Sequence, residues 1–139
     1  MNVSIKLVDT SLPLPAYKTD GAAGFDLYAR LDVEIPPGQV VLIPLNVIIA
    51  IPDGYFMILA ARSSLPIKKG LIPANGIGII DRDFCGEDDE WHFMAYNFTS
   101  EPVTVAKGER IAQGLLMNVD HAAWRQVDQM TGSSRGGFG

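Results

Sequence analysis

The longest apolar run in this chain, V-V-L-I-P-L-N-V-I-I-A-I from Val40 to Ile51, carries a proline at its fifth position. Pro44 has no N–H to give a helical ladder and its ring clashes with the preceding turn, so this β-branched run reads as strand with an interruption rather than helix. The rest of the chain repeats the pattern on a smaller scale. Apolar residues make up 47% of the sequence, but nine prolines and fourteen glycines divide them into short stretches. That favours many short strands joined by tight turns. The length of 139 residues fits one domain with a proper core, and no apolar stretch reaches membrane-spanning length.

Strands are expected at Val3–Val8, Phe25–Ala29, Val33–Ile35, Tyr55–Ala61, Trp91–Phe98, Pro102–Val105 and Ile111–Val119, with turns at Pro36–Gly38 and Pro52–Gly54. Ser63 or Ser64 is placed to cap one short helical turn reaching Lys68. The segment Ser11–Gly24 is a long, breaker-rich loop of the kind that usually carries function. From Thr131 the tail reads T-G-S-S-R-G-G-F-G, too rich in Gly and Ser to hold a fixed structure unaided. The expected architecture is therefore an all-β sandwich or barrel.

Charge and cysteine usage narrow the function. A net charge of −5 argues against general nucleic-acid or membrane-surface binding, both of which need a basic footprint. A polyphosphate ligand stays compatible if a few focused cations and a divalent metal offset its charge. The lone Cys85 excludes an internal disulfide and a multi-cysteine zinc site, and His92 and His121 lack ligand spacing. The N-terminus M-N-V-S-I-K-L shows no basic segment followed by an apolar stretch, so cytoplasmic residence is the expectation.

The stretch N-G-I-G-I-I-D-R-D-F-C-G-E from Asn75 to Glu87 combines alternating apolar residues with three glycines and leads into Asp81. It reads as a β-hairpin with a carboxylate near its tip, whose glycines let backbone N–H and C=O groups approach a flat ring. An ordinary hairpin with turn-forming aspartates fits these residues equally well. Asp81 and Asp83 would face opposite sides of a strand and so would not share a site. Arg62 followed by two serines can offer a guanidinium fork with hydroxyl and backbone donors, although R-S-S alone more often marks a surface arginine before a helix cap.

Five segments in order resemble the trimeric dUTP diphosphatase (dUTPase) family: A-A-G-F-D-L-Y-A at Ala22–Ala29, A-R-S-S-L at Ala61–Leu65, G-I-I-D-R-D-F-C-G at Gly78–Gly86, K-G-E-R-I-A-Q at Lys107–Gln113 and R-G-G-F-G at Arg135–Gly139. The resemblance implies a distorted jelly roll (β-clip) over residues 1–130 and a flexible C-terminal arm at 131–139. It implies hydrolysis of dUTP to dUMP and diphosphate, which keeps uracil out of DNA and supplies dUMP for thymidylate synthesis. Asp81 corresponds to the family's general base. Arg62, Ser63, Ser64, Gln113 and Arg135 correspond to its phosphate contacts, and Asn75, Gly78, Ile80, Phe84 and Phe138 to contacts with base or sugar. Asp26 corresponds to a carboxylate that touches Mg2+ through water, an arrangement suited to a cation held chiefly by phosphates. The family assembles as a homotrimer with shared active sites, and no nucleic-acid or membrane partner is implied.

Three features depart from the usual family pattern. Phe84 stands where Tyr is more usual, which keeps an aromatic face but loses a hydroxyl, and Cys85 replaces a longer polar residue. The acidic insert after Gly86 and the compact tail resemble a phage and Bacillus-type branch, and the chain stops without the usual Ser-Thr-Gly after Gly139. The related dCTP deaminases share the fold, but their serine-rich strand end and glutamate-bearing hairpin are not seen. A catalytically silent interaction module on the same scaffold is the other alternative, and diphosphate release from dUTP separates the three.

Overall fold

The computed structural model describes residues 1–137 and is almost entirely β, with one short helix. The strands are β1 (Ser4–Leu7), β2 (Phe25–Tyr28), β3 (Val33–Ile35), β4 (Val40–Pro44), β5 (Val47–Ala50) and β6 (Tyr55–Ala61). After α1 (Leu65–Lys69) follow β7 (Leu71–Pro73), β8 (Gly78–Ile80), β9 (His92–Asn97), β10 (Val103–Val105) and β11 (Arg110–Asn118). They pair antiparallel in four small sheets, β1-β5, β3-β10, β2-β11-β6-β8 and β4-β9-β7, none of which closes into a barrel. The inner faces meet over a core centred on Trp91, Phe93, Leu27, Ile35, Ile43 and Ile111. The architecture is the expected jelly-roll-like one.

The interruption in the long apolar run falls at Leu45–Asn46, just beyond Pro44. Asn46 takes the left-handed backbone conformation with φ 70°, which Asn tolerates better than most residues. Its buried side chain ties this corner to β1: Oδ1 accepts the Asp9 N–H at 2.6 Å and Nδ2 donates to the Asp9 carbonyl at 3.0 Å. Glu90 closes the corner from the other side. Its carboxylate accepts the Asn46 N–H at 2.9 Å and both prongs of the Arg30 guanidinium, so the last residue of the acidic insert is a buried structural anchor.

Two local expectations are corrected. The stretch from Asn75 to Glu87 is not a self-paired hairpin, because β8 pairs with β6, while β7, which the sequence reading did not anticipate, pairs with β9. The turn between β7 and β8, closed by Gly76 donating to the Pro73 carbonyl at 3.1 Å, hands the chain from one sheet to another. Gly78 then packs where a Cβ would lie 3.1 Å from the Cβ of Leu59. Likewise, α1 begins where expected, but neither serine caps it through its hydroxyl. Ser64 is already in the helical region (φ −82°, ψ −12°), the Leu65 N–H is met by the Arg62 carbonyl at 3.0 Å, and Pro66 has no N–H to satisfy.

Beyond β11 the chain has no strand or helix among the described residues, and residues 120–137 are all exposed, including Trp124 and Met130. Among the described residues no helix is long and apolar enough to cross a membrane.

Candidate active site

The site residues fall into two groups, separated by the length of β6. The first group gathers where β2, β6 and β11 lie side by side. Asp26 on β2 is directly opposite Gln113 on β11, which in turn is opposite Ala60 on β6. The buried Asp26 carboxylate is shared by two guanidinium groups: Arg62 Nε at 3.0 Å from Oδ1 and Arg110 Nη1 at 2.9 Å from Oδ2. Gln113 donates from Nε2 to the Ala61 carbonyl at 3.0 Å. Gly24 leaves it room, since a Cβ there would stand 2.9 Å from Gln113 Oε1.

Arg110 was not singled out by sequence reasoning, and strand periodicity explains the omission. Three residues apart on a regular strand, Arg110 and Gln113 would face opposite sides. A register shift between Arg110 and Ala112 opposite β2 inserts one residue and turns Arg110 onto the Gln113 face, as bulges do. Burial agrees, with Ile111 and Ala112 both fully enclosed. A recess of about 230 Å³ opens beside this group, lined by Arg62, Ser64, Lys68, Lys69, Glu109 and Arg110. Lys69 is engaged there by Glu109 at 3.0 Å and the Thr104 carbonyl at 2.8 Å. Ser63 is exposed next to Arg62. Lys107, in the same motif, serves the framework: its Nζ lies 2.6 Å from Asp9 Oδ2 and holds that carboxyl far below the usual carboxylate range.

The second group lies at the end of β8. Asp81 is exposed and stands between two recesses. One of about 300 Å³ is lined by Ile79, Ile80, Phe84, Trp91 and His92 as well as Asp81. The other, of about 570 Å³, is lined by Tyr55, Phe56, Asp83 and His121 among others. Asp81 and Asp83 therefore do border the same recess, contrary to the alternation argument. The reason is that the strand ends at Ile80, and Asp81–Phe84 is a turn closed by the Phe84 N–H on the Asp81 carbonyl at 3.2 Å. Phe84 is 41% exposed, Gly78 and Ile80 are half-buried on β8, and Asn75 is exposed in the turn before it.

Register gives the separation between the groups. Met57 pairs with Ile80, so Asp81 lies beside Phe56 at the start of β6, whereas Arg62 follows its end. Six residues of strand span roughly 20 Å. Arg135 sits on the exposed tail, and Phe138 lies outside the described residues.

Residues 10–139 match the dUTPase family model. The chain belongs to the dUTPase family. A deoxyuridine 5'-triphosphate nucleotidohydrolase of Desulfotalea psychrophila is 44% identical over 133 residues, covering 93% of this chain and 87% of the relative. A dUTPase crystal structure from Streptococcus mutans superposes with a TM-score of 0.79 at 32% identity, covering 86% of this chain and 98% of that one. A dUTPase of phage phi11 of S. aureus, described with a structural Mg(II) ion, shares the fold at 19% identity with a TM-score of 0.83, covering 93% and 98%. The five motifs of this dUTPase chain thus sit on a dUTPase framework, divided between the two groups and the tail.

The fit to a metal is limited. Among the described residues no group of three or more His, Cys, Asp or Glu side chains converges on one point. Asp26 Oδ2 accepts a hydrogen bond from Arg110 and Oδ1 is ion-paired with Arg62, which leaves the carboxylate further acceptor positions. These donors suit a cation carried by substrate phosphates and touched through water, not one caged by protein.

Proposed function

We propose that this chain hydrolyses dUTP to dUMP and diphosphate in active sites shared between copies, with Asp81 as general base. The observation that carries this reading is the separation along β6. A general base must reach the attacking water by a hydrogen bond, and that water must lie in line with the phosphorus it attacks. Asp81 cannot meet a phosphate held at Arg62 of its own chain roughly 20 Å away. A second copy, presenting its Asp26–Arg62–Arg110–Gln113 group to this Asp81, removes the distance.

In the assembled site Asp81 takes a proton from water, and the water oxygen attacks the α-phosphorus. The bond to the bridging oxygen breaks, and diphosphate leaves with that electron pair. Arg62, the hydroxyl and backbone donors of Ser63 and Ser64, Gln113 and Arg135 neutralise phosphate charge as it shifts toward the leaving group. The backbone around Gly78 and Ile80 reads the uracil edge, Asn75 helps to place base or water, and Phe84 packs against deoxyribose. A C5 methyl would press on closed backbone there, a steric refusal stronger than the loss of a contact. Magnesium would supply charge neutralisation at the substrate phosphates, and Asp26 is the residue that would help to hold it, through water.

The chain assembles as a homotrimer, in a cytoplasmic setting, and belongs to the phage and Bacillus-like branch to which its insert and compact tail point. The jelly-roll domain is assigned to residues 1–130, its last strand ending at Asn118 and residues 120–130 running exposed after it. The arm at 131–139 orders over bound nucleotide, bringing Arg135 to phosphate and Phe138 to the base. Measuring diphosphate from dUTP with magnesium, together with retention of the uracil chromophore, tests the activity. Absence of diphosphate release would refute it, and ammonia release from dCTP would replace it with deamination.

A further inference from the structure

We propose that the buried indole of Trp91 is a specificity-determining donor, whose N–H hydrogen-bonds the O4 of a uracil held in the recess beside Asp81. The inference rests on the reading of the site as one that takes dUTP, and adds a side chain to the backbone groups assigned there to the base. Its starting point is an orphaned donor. Trp91 is 0% exposed, and among the described residues its Nε1 is the one buried side-chain nitrogen or oxygen without a hydrogen-bond partner. A buried donor left unpaired is costly, and native structures rarely keep one without a use.

The surroundings of Trp91 leave the recess as the source of an acceptor. Its main chain is fully engaged: the N–H donates to the Val47 carbonyl at 3.0 Å, and the carbonyl accepts the Leu45 N–H at 2.8 Å. Glu90, the preceding residue, commits both carboxylate oxygens to Arg30 and the Asn46 N–H. Trp91 nevertheless lines the recess of about 300 Å³ together with Ile79, Ile80, Asp81, Phe84 and His92. That volume is at the low end for small-molecule sites, ~300–1,000 Å³, and suits a nucleoside better than a whole triphosphate.

The chemistry of the other lining groups singles out the indole. The Asp81 carboxylate accepts hydrogen bonds, and the isoleucines and Phe84 offer apolar walls. His92 Nδ1 lies 2.8 Å from the Glu90 carbonyl. A carbonyl only accepts, so Nδ1 carries the proton and the neutral ring presents Nε2 as an acceptor. The Phe84 N–H is already taken by the Asp81 carbonyl at 3.2 Å. Among the described residues, Trp91 is therefore the uncommitted side-chain donor of this recess. An indole N–H donates and cannot accept, so it matches the O4 of uracil and opposes the 4-amino group of cytosine, donor against donor. The 4-position is where these two bases differ in hydrogen bonding, which gives the orphaned donor a selective use.

The test uses the full chain with isotope-labelled tryptophan, and dUMP and 4-thio-dUMP as probes, since sulfur is the weaker acceptor at the same position. The chain has two tryptophans, and Trp124→Phe assigns their indole N–H resonances. Saturating dUMP should move the Trp91 resonance downfield, and 4-thio-dUMP should move it less. In calorimetry Trp91→Phe should weaken dUMP about tenfold and 4-thio-dUMP much less, narrowing the preference between them. A variant that merely loosens the core would weaken both probes alike. That result, or a Trp91 resonance unmoved by bound dUMP, overturns the inference while leaving the dUTP reading intact. Equal shifts with the two probes would place the contact away from O4 and overturn it as well. Should Trp91→Phe fail to fold, the resonances of the parent chain decide. A parent that binds neither dUMP nor a non-hydrolysable dUTP analogue would overturn the dUTP reading, and this inference with it.

Discussion

Glu90 and Arg30 form a two-pronged ion pair, Nε to Oε1 at 2.7 Å and Nη2 to Oε2 at 2.9 Å, at the corner where β4 passes into β5. Hydrogen bonding to Glu90 raises the Arg30 pKa further above its ordinary value, so the guanidinium stays charged. The same carboxylate holds the Asn46 N–H, and the chain next to it donates from the Trp91 N–H to the Val47 carbonyl at 3.0 Å. This corner fixes where the loop bearing Asp81 rejoins the framework. Glu90→Gln keeps the shape but removes the charge opposite Arg30, and should cost about 3 kcal/mol in denaturant unfolding. A loss below ~0.5 kcal/mol would show the pair to be a surface-like contact.

Acid stability should depend on Asp9. Lys107 chiefly, with Ser11 assisting, lowers its folded-state pKa far below that of the unfolded chain. In the window between the two values the unfolded chain takes up a proton that the folded one refuses. The contribution is thus complete above the ordinary carboxylate pKa, about 4, and is lost as pH falls below it. Asp9→Asn should flatten the acid limb of a stability–pH curve below about pH 4. An unchanged slope there would remove Asp9 as its source.

Gly24→Ala tests the packing behind Gln113. The added Cβ would lie 2.9 Å from Gln113 Oε1 and 3.2 Å from the Gly114 carbonyl, so the glutamine must swing from the Ala61 carbonyl. Destabilisation of ~1–3 kcal/mol and a raised KM for dUTP are expected. Parent-like KM would mean that Gln113 does not need this rotamer for substrate.

Sharing of sites between copies is tested by mixing. Asp81→Asn should retain nucleotide binding and lose ~10²–10⁴-fold in turnover. Arg62→Ala should be impaired through phosphate binding instead. Because the two residues sit at opposite ends of β6, mixed oligomers of the two variants should contain some sites with both residues intact. Verified mixed oligomers without recovered activity would argue for sites built within one chain.

Much of the framework was legible in local pattern. Strand β6 runs from Tyr55 to Ala61 and β3 from Val33 to Ile35, both as period and turn signals placed them, because a strand flanked by Pro-Gly turns announces itself locally. The motif residues Asp26, Arg62 and Gln113 were also legible, and the fold brings them together. What a strand pairs with is not a local property. The partner of β8 is β6, about twenty residues earlier in the chain, so the expected hairpin is a crossover between sheets, with Asp81 beside the start of β6. The same holds for Arg110, which alternation assigns to the wrong face until the bulge against β2 supplies an extra residue. Glu90 ends the acidic insert after Gly86, to which the sequence assigns no role. Only tertiary packing, which puts Arg30 and the Asn46 N–H against it, makes it a buried anchor, since the benefit of burying a charge depends on partners distant in sequence.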